Sequence, residues 1–175
     1  MMAAKAAVHS GAGLTTVATD ASNHTALHCH LPEAMVIDWE NTELLLEKLH
    51  QSDLVLIGCG LWLSEQAATL LDLVLSHLQP SQKLIIDGDA ITLFAKHSKN
   101  HYEFPIWANP HQKEWDRLSG LAIDAQMPAN NLHAISQLQL NVILKKHGTT
   151  LYLLNHEQLC IDVGTPAMAT GGMGD

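Results

Sequence analysis

A chain of 175 residues, 47% hydrophobic and 15% charged, is long enough to bury a core and too apolar for disorder. Its 18 Asp and Glu outnumber its 9 Lys and Arg, leaving a formal net charge of -9 with the 12 His neutral. No basic cluster offsets that balance, so neither nucleic acid nor an anionic membrane is an expected partner, although backbone amides can still hold a phosphate.

In chain order, residues 1–10 are Ala-rich and read as the tail of a helix stopped by Gly11. Gly13–Thr19 and Ala34–Asp38 are predicted strands. Between them His28, Cys29 and His30 fall on a segment read as extended, where alternate side chains serve at most one face and make a poor metal site. Asn41 or Thr42 can cap a helix running to about His50, with Leu45, Leu46 and Leu49 on one face. Asp53–Gly58 is an apolar strand. Ser64 opens a helix with a wide apolar stripe from Ala67 to Leu78, ended by Pro80. Lys83–Asp87 is the next strand, followed by a helical Ala90–Lys96.

Pro105–Ala108 is short and β-like, and leads through Asn109 and Pro110 into a helix holding Glu114, Trp115 and Leu118 and ending at Gly120. Asn130 or Asn131 can cap a helix to about Leu138. Asn141–Lys145 and Thr150–Leu154 are predicted strands with a hairpin-like connection, and the sequence closes on the Gly-rich Gly171–Asp175. No apolar run approaches the roughly 18–20 residues that span a bilayer, and the opening MMAAKAAVHSGAG lacks the apolar core of a secretory signal. Cys29, Cys59 and Cys160 are odd in number and outside CxxC spacing, which points to a reduced cytoplasm.

Near-continuous apolar strands alternating with helices indicate an α/β fold: a mostly parallel central sheet covered by helices on both faces, in a single domain over 1–175. Ligands in such sheets bind beyond the carboxyl ends of the strands. Polar or glycine residues recur there: Gly58-Cys59-Gly60, Asp87-Gly88-Asp89, Asn109-Pro110-His111, Lys145, and Gly171–Asp175. That recurrence predicts one composite site.

Within it, Gly171, Gly172 and Gly174 permit a nest of backbone amides for phosphate oxygens, and Asp175 suits a base beside a reacting hydroxyl. The alternative is an ordinary turn with a helix-capping Asp. Asp87 and Asp89 can bind Mg²⁺ indirectly, contact a ribose, or be solvated loop acids. His111 and Glu114, spaced by three, suit ligand contact or a capping box. Nothing in the sequence supports Cys59 as a nucleophile.

Taken together, these segments resemble the ADP-dependent NAD(P)H-hydrate dehydratases, repair enzymes of the ribokinase-like fold. AAVHSGAGLTTVAT is similar to the family's helix and strand ending in SGAGL. DLVLIGCGLW is similar to its strand followed by GPGLG, and KLIIDGDAI to VLDADAL. NPHQKEWDRLSG is similar to TPHxxE, VILKKHGTT to LKGxxT, and GTPAMATGGMGD to its GTGD or GMGD nucleotide signature. Departures are Cys59 for a common proline, Trp62 for glycine, Gly88 for Ala, Asn109 for Thr and Lys146 for Gly. The family has segments before and after those matched here, so the chain reads as the central part of a catalytic domain, short at both ends.

The resemblance implies a reaction. Hydrated NADH or NADPH is phosphorylated on its ring hydroxyl at the expense of ADP, and phosphate then leaves to restore the reduced cofactor. Transferred by motif, Gly60, His111 and Asp175 contact the hydrated dinucleotide, with Asp175 catalytic. Lys145, Lys146, His147, Gly148, Thr149 and Gly174 contact the adenine nucleotide. Mg²⁺ accompanies the nucleotide, with no protein-built metal site expected. The resemblance also implies a homo-oligomer and functional pairing with an NAD(P)HX epimerase. The competing readings are a ribokinase-like kinase of a vitamin precursor, which would release a stable phosphorylated product, and an inactive nucleotide-binding fragment.

Overall fold

Short runs of branched aliphatic residues separated by amphipathic stretches fold as strands and helices in alternation. In the computed structural model, which describes residues 1–97 and 101–161, they form two compact units, Met1–Ser52 and Asp53–Asp175.

The first unit contains α1 (Met2–His9), β1 (Thr16–Thr19), a 3-10 turn at Ala21–Asn23, α2 (His24–His30), β2 (Met35–Asp38) and α3 (Thr42–Gln51). β1 and β2 pair in parallel, with Thr16 opposite Met35 and Thr19 opposite Asp38. The core draws on Leu27, Leu31, Ala34, Ile37, Leu45 and Leu49. Asn41 Oδ1 accepts the Leu44 N–H at 3.1 Å and so caps α3, as its position predicts. The extended reading of His28–His30 is corrected: these residues are the last turn of α2. Asp20 caps the preceding 3-10 turn by accepting the Ser22 N–H at 2.8 Å, and Leu27 and Leu31, one helical turn apart, are both buried.

The second unit contains β3 (Leu54–Ile57), α4 (Glu65–His77), β4 (Lys83–Ile86), α5 (Asp89–Phe94), β5 (Ile106–Ala108) and α6 (Gln112–Ser119). A 3-10 turn at Ile123–Ala125, α7 (Pro128–Leu138), β6 (Asn141–Leu144), β7 (Thr149–Tyr152) and β8 (Gln158–Ile161) follow. The strands lie in the order β3-β4-β5-β6-β7-β8. The β3–β4, β4–β5 and β5–β6 pairs are parallel, and β6–β7 and β7–β8 are antiparallel. The α/β fold with a mostly parallel, helix-flanked sheet is therefore the one that forms.

Sequential strands that neighbour one another in a parallel sheet, joined by right-handed crossovers, place the connecting helices on one face. The register puts Leu84, Ile86, Ile106, Ala108, Val142, Leu144 and Tyr152 on a common face, and all are buried. The opposite face carries Leu54, Leu56, Ile85, Trp107, Ile143, Leu151, Leu159 and Ile161. Of these, Leu54, Leu56, Leu159 and Ile161 are exposed. Strand β8, which the sequence pattern did not reveal, is an edge strand whose residues are all exposed, so no alternation of burial marks it.

Ser64 Oγ accepts the Ala67 N–H at 3.1 Å and opens α4 as expected. Neither Asn130 nor Asn131 caps α7. Pro128 supplies the first turn, where a missing N–H costs nothing, and Asn131 lies fully buried inside the helix. Among the described residues, no helix is long and apolar enough to cross a membrane.

Candidate functional site

Where β3, β4, β5 and β6 end, the backbone turns outward and leaves a polar rim. The β3 turn passes through Gly58 (φ +121°) and Gly60 (φ +77°). A Cβ on Gly58 would lie 1.7 Å from the Asp87 carbonyl oxygen, so the β3 and β4 turns pack backbone against backbone. Gly60 has open space around it, with no atom within 4 Å of a built Cβ.

Asp87 is the hub of the rim. Its N–H donates to the Ile57 carbonyl at 3.0 Å. Its Oδ1 accepts the Gly88 N–H at 2.9 Å and the Lys145 ammonium at 3.2 Å. Its Oδ2 accepts the Asn109 side-chain N–H at 3.2 Å. One carboxylate thus ties the ends of β4, β5 and β6. The pair is largely withdrawn from water, with side-chain exposures of 13% for Asp87 and 18% for Lys145. Asp87 is therefore not a solvated loop acid, because it is withdrawn from water and paired with Lys145, 58 residues downstream. Asp89 instead accepts the Trp62 N–H on Oδ2 at 2.8 Å and holds the β3 turn against α5.

His111 caps α6. Its Nδ1 accepts the Lys113 N–H at 3.1 Å and the Glu114 N–H at 3.2 Å, while the Glu114 carboxylate accepts the His111 N–H at 2.8 Å. The capping box is complete. A ring nitrogen that accepts carries no proton, so the neutral ring bears its proton on Nε2, which becomes the donor. That edge lies 3.6 Å from the other Glu114 oxygen, and the side chain is 42% exposed, so solvent and a ligand can reach the ring. The capping and ligand-contact readings of His111 are therefore compatible.

Lys145 continues past β6 by donating its N–H to the Pro110 carbonyl at 2.8 Å, in an isolated parallel bridge with His111. Its ammonium spends one N–H on Asp87 and keeps two for other acceptors. Lys146 and His147 are exposed, Gly148 turns with φ +78°, and half-buried Thr149 starts β7. The structure thus gathers Gly60, His111 and Lys145 on one rim, with Lys146 to Thr149 forming the adjacent β6–β7 turn. Gly174 and Asp175, and the rest of Gly171–Asp175, lie outside the described residues.

Cys59 sits between the two β3 glycines. Partial burial pushes its thiol pKa up, and the nearby Asp87 carboxylate adds to the rise while Lys145 opposes it. A thiol so placed is a poor nucleophile. Among the described residues no three His, Cys, Asp or Glu side chains gather as metal ligands. The sequence pattern missed the central role of Asp87 and Asn109 as a linked pair. The signal was their placement at adjacent strand ends, which gains meaning only once the strand order is known.

A sequence model of the family described as NAD(P)H-hydrate dehydratase matches residues 1–175. The ADP-dependent (S)-NAD(P)H-hydrate dehydratase of Streptococcus thermophilus is 49% identical over 100% of this chain and 64% of its own length. The enzyme of the same description from Staphylococcus aureus is 46% identical over 100% of this chain and 63% of its own. A crystal structure of a ribokinase-like superfamily protein from Enterococcus faecalis superposes with a TM-score of 0.94 at 45% identity, covering 99% of this chain and 61% of that one. The chain spans less than two thirds of the length of these relatives.

Proposed function

Because the chain belongs to the NAD(P)H-hydrate dehydratase family, we propose that it takes part in returning hydrated NADH and NADPH to their reduced forms at the expense of ADP. The observation that carries this reading is the Asp87–Lys145–Asn109 cluster. It ties together the segments KLIIDGDAI, NPH and VILKKHGTT, which the sequence matches to the family one by one. The two compact units are parts of one ribokinase-like catalytic domain over 1–175.

In the proposed reaction the ring hydroxyl oxygen attacks the terminal phosphoryl group of ADP. Asp175 accepts the hydroxyl proton and AMP leaves. Phosphate, a far better leaving group than hydroxide, then departs with a ring proton as the double bond re-forms. Gly174 offers its N–H to the transferred group, whose charge spreads over its equatorial oxygens. Gly60 leaves the rim open for the dinucleotide, and His111 donates from Nε2. Lys145 turns its remaining N–H groups to the adenine nucleotide, and Lys146, His147, Gly148 and Thr149 line the turn beside it. Asp87 holds the Lys145 ammonium in place.

Mg²⁺ enters with the nucleotide, where it would shield phosphate charge. Such an ion would be held largely by phosphate oxygens and water. We assign the protein to the cytoplasm as a homo-oligomer working alongside an NAD(P)HX epimerase. Its cysteines, all free and exposed, support a reducing compartment.

The test is recovery of NADH absorbance from chemically prepared NADH hydrate with this chain and ADP, ATP or no nucleotide. ADP-dependent recovery is expected, and Asp175→Asn is expected to abolish it while dinucleotide binding persists. A stable phosphorylated product would make the protein a kinase instead. Turnover retained by Asp175→Asn would remove that residue from its role.

A further inference from the structure

Trp62 stands on the candidate rim in a conformation that its own packing does not explain. Its φ is +65°, a left-handed backbone that bulky side chains rarely adopt. The residue is 77% exposed. The other tryptophans are less exposed: Trp115 is fully buried, and Trp39 and Trp107 are half-buried. What holds Trp62 is its backbone, through the N–H donated to Asp89 Oδ2 at 2.8 Å. The fold therefore fixes the main chain and leaves a large aromatic surface facing water, two residues from Gly60, where the rim is open. Strain of this kind is maintained where the surrounding structure imposes it, and it concentrates at ligand sites.

We infer that Trp62 is a stacking platform for a flat nitrogen heterocycle of the dinucleotide, and so a residue that determines substrate affinity at this rim. The inference rests on the dinucleotide reading above. An indole offers every base a π-face without demanding a hydrogen-bond pattern, and its two side-chain torsions cost little entropy to fix. The β3 turn needs a left-handed residue at this place, a need that glycine would meet without strain, so a tryptophan here contributes something that the turn itself does not require.

The experiment is calorimetric titration of this chain, Trp62→Phe and Trp62→Gly with NADH and, separately, with ADP. Glycine suits the positive φ, so Trp62→Gly is expected to melt no lower than the parent chain. It is expected to weaken NADH binding about five-fold or more, as loss of an aromatic stack does, with ADP affinity unchanged and Trp62→Phe intermediate. Equal NADH affinity in the parent and Trp62→Gly overturns the platform, as does a loss confined to ADP. A parent chain that binds ADP but not NADH overturns the dinucleotide reading as well, which separates that failure from the first two.

Discussion

At the scale of single residues, Asp87 organises the rim by charge. It holds Lys145, which the family motif assigns to the adenine nucleotide, and it sits beside Cys59. The thiol is pushed up by partial burial first and by the Asp87 carboxylate second, so its thiolate is scarce at neutral pH. Alkylation near pH 8, followed by mass spectrometry, is expected to label Cys59 roughly several-fold more slowly than Cys29 and Cys160. Asp87→Asn is expected to speed Cys59, because it removes a negative charge and leaves Lys145, which favours the thiolate. An unchanged rate would show that Asp87 does not set the local field. Asp87 and Lys145 were each visible in the sequence as strand-end residues. Their pairing was not, because a contact across 58 residues depends on which strands become neighbours.

At the scale of elements, the supports behind the rim are α6, α7 and β7. Asn131, in α7, accepts the Trp115 indole N–H at 2.8 Å and donates to the Tyr152 hydroxyl and the Gln126 carbonyl, each at 3.2 Å. Trp115, Asn131 and Tyr152 are at most 1% exposed, so no water can replace these bonds. Asn131→Ala is expected to cost about 2–4 kcal/mol in denaturant unfolding, because it strands a buried indole N–H and a buried hydroxyl. A cost below about 0.5 kcal/mol would mean that the network relaxes around the gap. Short-range signals located most of these elements well. Ser64, Asn41 and the His111–Glu114 box start their helices where local chemistry predicts. Asn131 misled for a physical reason: the same side chain that caps a helix can serve a buried indole, and only tertiary packing chooses between them.

At the scale of the whole molecule, the six-stranded sheet of the second unit has unequal faces. The helix-covered face is sealed, while Leu54, Leu56, Leu159 and Ile161 on the other face remain 42–58% exposed. Large apolar side chains exposed on both edge strands of one face favour association. Light scattering on the purified chain is expected to show particle size rising with concentration. The combined substitutions Leu56→Lys and Leu159→Lys are expected to suppress that rise. A monomer at every concentration would contradict the expectation.

By itself the sequence determined the alternation of strands and helices, the α/β class, the polar strand ends and the family motifs. These follow from hydrophobic period, capping chemistry and residue identity, all of which act over a few positions. Tertiary structure decided the strand order, the Asp87–Lys145–Asn109 cluster, the buried role of Asn131, the edge strand β8 and the exposed, left-handed Trp62. Each depends on which distant segments share a face or an edge, and no local pattern carries that information.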